Sequence, residues 1–120
     1  MEKIKKENYH KGKYGENMAR DYLLKKGFIF IEANFKNKIG EIDLIMSDEK
    51  WLVFVEVKYK SDDRLGIPEE MISKNKIWQV KRVAESYLIE KKGDVGFFEK
   101  YRIDAVCILG KHIKHYENIE

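Results

Sequence analysis

The sequence predicts an α/β domain with a mixed central sheet of about five strands flanked by helices. Three observations predict it. Short β-branched and aromatic runs alternate with two stretches of helical periodicity. The first three of those runs follow one another closely, which favours an antiparallel meander. A long helical stretch then separates the third run from the fourth, enough chain for a parallel crossover.

The elements follow in order. Residues 1–8 are polar and read as a flexible N-terminal segment, leaving residues 9–120 as a single domain. From Tyr9 to Lys26, the positions Tyr14, Met18, Ala19, Tyr22 and Leu23 have helical spacing, and Gly27 supplies a stop. Gly12 and Gly15 weaken the first turns, so a start near Gly15 is expected. Strands are expected at Phe28–Phe35, Glu41–Met46 and Trp51–Lys60, with a turn around Asn37 and a tight polar connection over Ser47–Lys50. Residues 61–71 form a loop holding Gly66 and the only proline, Pro68. Ser73 is placed to cap a helix running to about Lys91. Gly93–Glu99 is a second loop, packed down by Phe97 and Phe98. Strands Tyr101–Leu109 and Ile113–Tyr116, joined at Gly110, complete the sheet.

Composition narrows the function classes. At 120 residues there is room for one modest core, and a hydrophobic share of 43% is that of a globular chain. The net charge is only +3, but basic residues crowd Lys3–Lys13, Lys36–Lys38, Lys58–Arg64 and Lys74–Arg82. Such runs are either solvated surface or, where they share a face, a place for a phosphate backbone. The single cysteine, Cys107, excludes a disulfide framework and a cysteine-rich zinc site, and its apolar run predicts a buried thiol. The start lacks the apolar stretch of a signal peptide, and no window approaches the roughly 18 apolar residues of a membrane span. A cytoplasmic protein without membrane contact is expected.

The chemistry concentrates in Trp51-Leu-Val-Phe-Val-Glu56-Val-Lys58-Tyr-Lys60. Five apolar residues suit a strand covered on both faces, and Glu56 and Lys58, two apart, point to one side of the sheet. Alone, they are equally well an ion pair where the strand emerges. The preceding strand, Glu41-Ile-Asp43-Leu-Ile-Met, also carries an acid inside an apolar run. Asp is a poor strand former and costly to bury without a compensating cation or hydrogen bonds. A short turn would bring Asp43 and Glu56 onto neighbouring strands, where two carboxylates repel unless a cation sits between them. Mg²⁺, or Mn²⁺, is the natural occupant, with the Val57 carbonyl and waters as further oxygen ligands. Beside it, Lys58 would steer or deprotonate an attacking water, or neutralise charge on a phosphorus transition state.

Glu16, at the edge of the first helical stripe, either reaches inward or is a surface acid welcomed by the helix dipole. Glu41 shares the strand parity of Asp43, as an outer acid or as solvated surface. Lys76 interrupts the apolar stripe of the second helix, either snorkelling or pointing at a phosphate. Lys60, Lys74, Lys81 and Arg82 are further candidates for backbone phosphates. Arg102 and Asp104 share a strand face and read as an ion pair near the site. Gly40 permits a turn or close approach entering the Asp43 strand. Trp78 stacks on a base or packs at an interface. His10, His112 and His115 are too scattered for a zinc site.

The blocks Gly15-Glu16-x-x-Ala19-x-x-Tyr22-Leu23-x-x-x-Gly27, Asn34, Gly40-Glu-Ile-Asp-Leu-Ile45, Val53-Phe-Val-Glu-Val-Lys58 and Tyr101-Arg-Ile-Asp104 together closely resemble the YraN-like family of small bacterial proteins. The resemblance covers roughly Gly12 to Tyr116. It implies a restriction-endonuclease-like fold, similar to Holliday-junction resolvases and other nucleases with a PD-(D/E)xK core. Asp43, Glu56 and Lys58 then take the metal-binding and catalytic places, and Glu16 corresponds to the acid that the resolvase-like branch carries on its first helix. Ile42 stands where the wider superfamily has the proline of its name. The implied function is Mg²⁺-dependent hydrolysis of phosphodiester bonds in DNA, branched or structured DNA included, by a protein that by analogy works as a homodimer. The alternative is a non-catalytic nucleic-acid-binding or interaction module that retains the fold.

Overall fold

The computed structural model describes the backbone from Glu2 and the side chains from Gly12 to Glu120. Helix α1 (Glu2–Lys25) leads into strands β1 (Ile29–Lys36), β2 (Glu41–Asp48) and β3 (Trp51–Lys60). A short 3₁₀ turn (Pro68–Met71), α2 (Lys74–Glu90) and a helical turn α3 (Lys92–Val95) follow, before β4 (Lys100–Leu109) and β5 (His112–Tyr116). The strands form one sheet in sequence order. β3 and β4 are parallel and every other neighbouring pair is antiparallel. This is the expected mixed sheet flanked by helices, in keeping with a restriction-endonuclease-like core. Among the described residues, no helix is long and apolar enough to cross a membrane.

Each side of the sheet buries its own apolar set, as alternation along the strands requires. Ala19 and Leu23 of α1 cover Leu44, Met46, Val53, Val55, Val106 and Ile108. On the other side Val80, Val83, Ala84 and Tyr87 of α2 cover Ile42, Ile45, Leu52, Phe54 and Ile103. Cys107 is buried, as expected, and burial pushes its thiol up to about 12.

The chain signals act locally. Gly27, at φ 96°, ends α1: its N–H donates to the Leu24 carbonyl, and the Phe28 N–H donates to that of Leu23. This paired closure with an apolar residue just beyond, here buried Phe28, is a Schellman cap. Ser73 caps α2 by accepting the Lys76 N–H at 3.1 Å.

Four expectations need correction. Helix α1 starts at Glu2, not near Gly15. Gly15 serves close packing instead, since a Cβ there would lie 2.8 Å from Tyr59 Cβ. Side chains of residues 1–11 lie outside the described residues, those of His10 and most of the Lys3–Lys13 run among them, and over the expected flexible segment 1–8 only the helical backbone from Glu2 is described. Ser47 and Asp48 belong to β2, because the two residues Glu49 and Lys50, with Glu49 at φ 54°, turn the chain and Asp48 pairs directly with Trp51. The 93–99 connection contains part of α3, and of its two phenylalanines only Phe98 packs against the core, while Phe97 is exposed.

Candidate metal centre

The site forms where β2 and β3 part. Their pairing runs from Asp48↔Trp51 to Leu44↔Val55 and stops there. One further step in that register would set Asp43 opposite Glu56. Instead β2 turns over at this point. Leu44 packs on the α1 side and Ile42 on the α2 side, although residues two apart in a regular strand share a face. The neighbouring strand turns with it: Ala33 packs on the α1 side and Phe35 on the α2 side, and between them Asn34 has φ 54°. Asp43 therefore projects sideways, and its Oδ2 accepts the Val57 N–H at 2.8 Å in place of a backbone partner. In an extended strand the N–H and C=O of one residue face the same neighbour. The Val57 carbonyl accordingly faces the gap that Asp43 borders.

The turnover also corrects the expected shared parity of Glu41 and Asp43. Glu41 is exposed and meets Asn34, whose Nδ2 donates to Glu41 Oε1 at 3.3 Å. The same amide donates to both Glu16 oxygens, at 3.0 and 3.1 Å. Asn34 thus ties the acid of α1 to the acid that opens β2. The close approach of α1 to Tyr59 at Gly15 holds Glu16 over this end of the sheet.

Glu56 faces the α2 side and is almost wholly buried. Its Oε1 lies 3.3 Å from Lys58 Nζ and 3.7 Å from Lys76 Nζ. Its Oε2 is buried and, among the described residues, has no hydrogen-bond partner. The electrostatics match this crowding. Burial, then the charge of Glu56, raises Asp43 to about 7, with Glu16 adding to the rise while the Val57 N–H and Lys58 oppose it. Burial also raises Glu56, against the pull of Lys76 and Lys58.

Among the described residues, no three His, Cys, Asp or Glu side chains gather into a complete metal cage. The donors present suit a hard ion that keeps several waters, as Mg²⁺ does. They are two carboxylates that resist ionisation together, a backbone carbonyl on the same gap, and one buried carboxylate oxygen with nothing to satisfy it. A cation or its water would remove that deficit.

The other predicted residues are placed as follows. Lys76 reaches Glu56 from the first turn of α2. Lys60 donates to the Leu65 carbonyl at 3.0 Å, and Lys81 pairs with Glu120 at 3.1 Å, away from the acids. Lys74 is exposed, and the Arg82 guanidinium lies 5.1 Å from the Trp78 ring centre. Gly40 makes the close approach expected of it: a Cβ would lie 2.9 Å from Gln79 Nε2, which donates to the Ile39 carbonyl at 2.8 Å. Arg102 and Asp104 do form an ion pair, at 3.0 Å, on the α1 side of the sheet and so on the face opposite Glu56. Fully buried Asp104 also meets His115 Nε2 at 2.8 Å and accepts the Asn118 N–H at 2.9 Å, while Arg102 reaches Asp48 at 3.2 Å. Because Lys26 Nζ lies 2.8 Å from His115 Nδ1 and has only protons to give, Nε2–H is the side that donates to Asp104. Sequence reasoning assigns no role to Asn34 or Gln79; the signals for Asn34 were its place among the positions that carry the family resemblance and its occurrence inside a strand, since Asn tolerates positive φ.

Residues 15–108 match the model of Uncharacterised protein family UPF0102. The span contains Glu16, Asp43, Glu56 and Lys58. A UPF0102 protein from Thermodesulfovibrio yellowstonii is 38% identical over 107 residues, 89% of this chain and 92% of that protein. One from Dictyoglomus thermophilum is 39% identical over 98 residues, 82% and 80% of the two chains. One from Syntrophomonas wolfei is 40% identical over 102 residues, 85% and 86%. On the extent of these matches the chain belongs to the UPF0102 family.

Proposed function

We propose that the protein is a Mg²⁺- or Mn²⁺-dependent phosphodiesterase acting on DNA, with Asp43 and Glu56 as the metal-binding acids. The observation that carries this reading is the buried Oε2 of Glu56, without a hydrogen-bond partner among the described residues, beside the half-buried Asp43, whose carboxyl is raised to about 7 by burial and the charge of Glu56. Asp43, Glu56 and the Val57 carbonyl would hold the ion. When bound, it supplies Lewis-acid polarisation and charge neutralisation at a phosphate oxygen.

The protein's own groups do the rest. Lys58 Nζ, already beside Glu56, is placed to donate to a phosphate oxygen as negative charge grows on it in the transition state. Lys76, on the other flank of Glu56, is placed to hold the strand's backbone and fix its register. Glu16, held by Asn34, is an anionic group near Asp43 that can orient the attacking water. Attack forms one P–O bond and breaks another, leaving a phosphate monoester end and a hydroxyl end. Symmetric cutting of two strands would take two copies of the chain, so a homodimer belongs to this proposal.

The test is a gel panel of wild type and Asp43→Ala with Mg²⁺, Mn²⁺ or EDTA, against plasmid, single-stranded, flap and four-way-junction DNA. Cleavage that needs both metal and Asp43 is expected. Equal cleavage by the variant would remove Asp43 from the chemistry. A second reading, a non-catalytic nucleic-acid-binding module, draws on Lys58 and Lys76, two cations gathered at Glu56 that a phosphate could engage directly. Binding that survives Asp43→Ala, with no cut on any substrate, would select it.

A further inference from the structure

Helix α2 carries two stripes toward the turn between β1 and β2. The inner one holds Lys76 and Gln79, which reach Glu56 and the Ile39 carbonyl. The outer one places Lys74, Trp78 and Arg82 four residues apart, on one exposed face. Between the turn and the helix lies a groove of about 510 Å³ lined by Ile39, Lys76, Trp78 and Gln79, among others, with no carboxylate in its lining. Trp78 is 60% exposed, an unusual state for so large an apolar ring. Arg82 lies over it at 5.1 Å, adding positive charge beside a stacking surface. Lys76 lines the same groove and its Nζ is 3.7 Å from Glu56, so one side chain links the groove to the candidate metal pair.

We propose that this groove receives one unpaired nucleobase of a nucleic-acid strand, stacked on Trp78, next to the phosphate held at the Asp43–Glu56 site. The inference rests on the phosphodiesterase reading of that site and adds the substrate class: a strand with an unstacked base, as in single strands, gaps, flaps or junctions. The cationic rim selects a polyanion, and the flat ring with an apolar Ile39 opposite selects a planar base. A base inside a continuous duplex is already stacked and paired, and cannot enter without being extruded. The two features have to occur together, because one ligand must place a phosphate at Lys76 and a ring at Trp78.

The protein has two tryptophans, so Trp51→Phe leaves Trp78 as the only tryptophan, read by exciting to the red of tyrosine absorption. Titration of that protein in EDTA with a short single-stranded oligonucleotide is expected to quench Trp78, and the same length of fully paired duplex is not. Trp78→Ala is expected to weaken single-strand binding about 10-fold, with Trp78→Phe restoring most of it and duplex affinity unchanged. Three results overturn the proposal: equal single-strand affinity of Trp78→Ala and wild type, equal quenching by duplex, or quenching that depends on protein concentration without oligonucleotide. The last would mean that a second copy of the chain sits on Trp78. These readings need no cleavage, so a silent gel panel with intact, strand-selective quenching would sink the nuclease reading and leave the base site standing.

Discussion

Replacing Asp43 by Asn should make the metal-free protein more stable at alkaline pH. Burial and the neighbouring acids raise this carboxyl from 3.8 to about 7. In the folded protein it therefore holds its proton over a range where the unfolded chain has lost it. Below the unfolded value both states are protonated and the group contributes nothing. As pH rises toward the folded value, the unfolded chain is favoured, and the penalty is complete above it. About three pKa units at 1.36 kcal/mol each set a ceiling of about 4 kcal/mol. Partial exposure and sharing of the charge with Glu56 bring the expected gain for Asn to about 2–3 kcal/mol. The amide keeps an oxygen for the Val57 N–H, so the hydrogen bond survives the change. With a urea m-value of about 1.5 kcal/mol/M, the midpoint at pH 8 in EDTA should rise by between about 1 and 2 M, and near pH 4 by little. Adding Mg²⁺ should stabilise wild type and leave the variant unmoved. A variant no more stable than wild type at pH 8 in EDTA would refute the claim that Asp43 is held ionised at a cost.

Other substitutions read the supporting structure. Asn34→Gly keeps the positive φ and removes the amide that bridges Glu16 and Glu41, so thermal stability should change by less than about 1 kcal/mol while metal affinity falls. Asn34→Ala should in addition lose about 1–2 kcal/mol to backbone strain, and equal melts of the two would contradict that split. Arg102→Ala strands fully buried Asp104 with His115 and one backbone N–H, and a loss of about 3–5 kcal/mol is expected in urea unfolding. Its hydrogen bonds to His115, Arg102 and Asn118 hold Asp104 below the usual range despite burial. That stabilisation is present above the ordinary Asp value and disappears as pH falls through the lowered one. Asp104→Asn should accordingly flatten the acid limb of the stability profile.

Much of the fold was legible because its signals are local. Gly27, Ser73 and the period-2 runs each act through their own neighbours, and each element they mark is present. The nearness of Asp43 to Glu56 was legible for a related reason: a two-residue turn sets a register that points the two acids at one another, although the ladder itself stops one step short of them. What could not be read was the turnover of β2 and β1 at Asp43 and Asn34. It depends on where the β2–β3 ladder stops and on one residue taking positive φ, neither of which alters the apolar pattern. Glu49 misled in the same way, since a single residue at φ 54° lets the strand absorb Ser47 and Asp48. Gly15 looked like a helix breaker because its reason for being small, Tyr59, is more than forty residues away along the chain. Phe97 carried the same apolar signal as Phe98, and only tertiary packing separates the two.

The most direct measurement is isothermal titration of the metal-free protein with Mn²⁺ at pH 6 and pH 8. Binding that tightens with pH as a proton leaves the Asp43–Glu56 pair, and that vanishes in Asp43→Asn, is the predicted result. No binding at either pH, or binding that Asp43→Asn leaves unchanged, would contradict the assignment of these two acids as a metal centre.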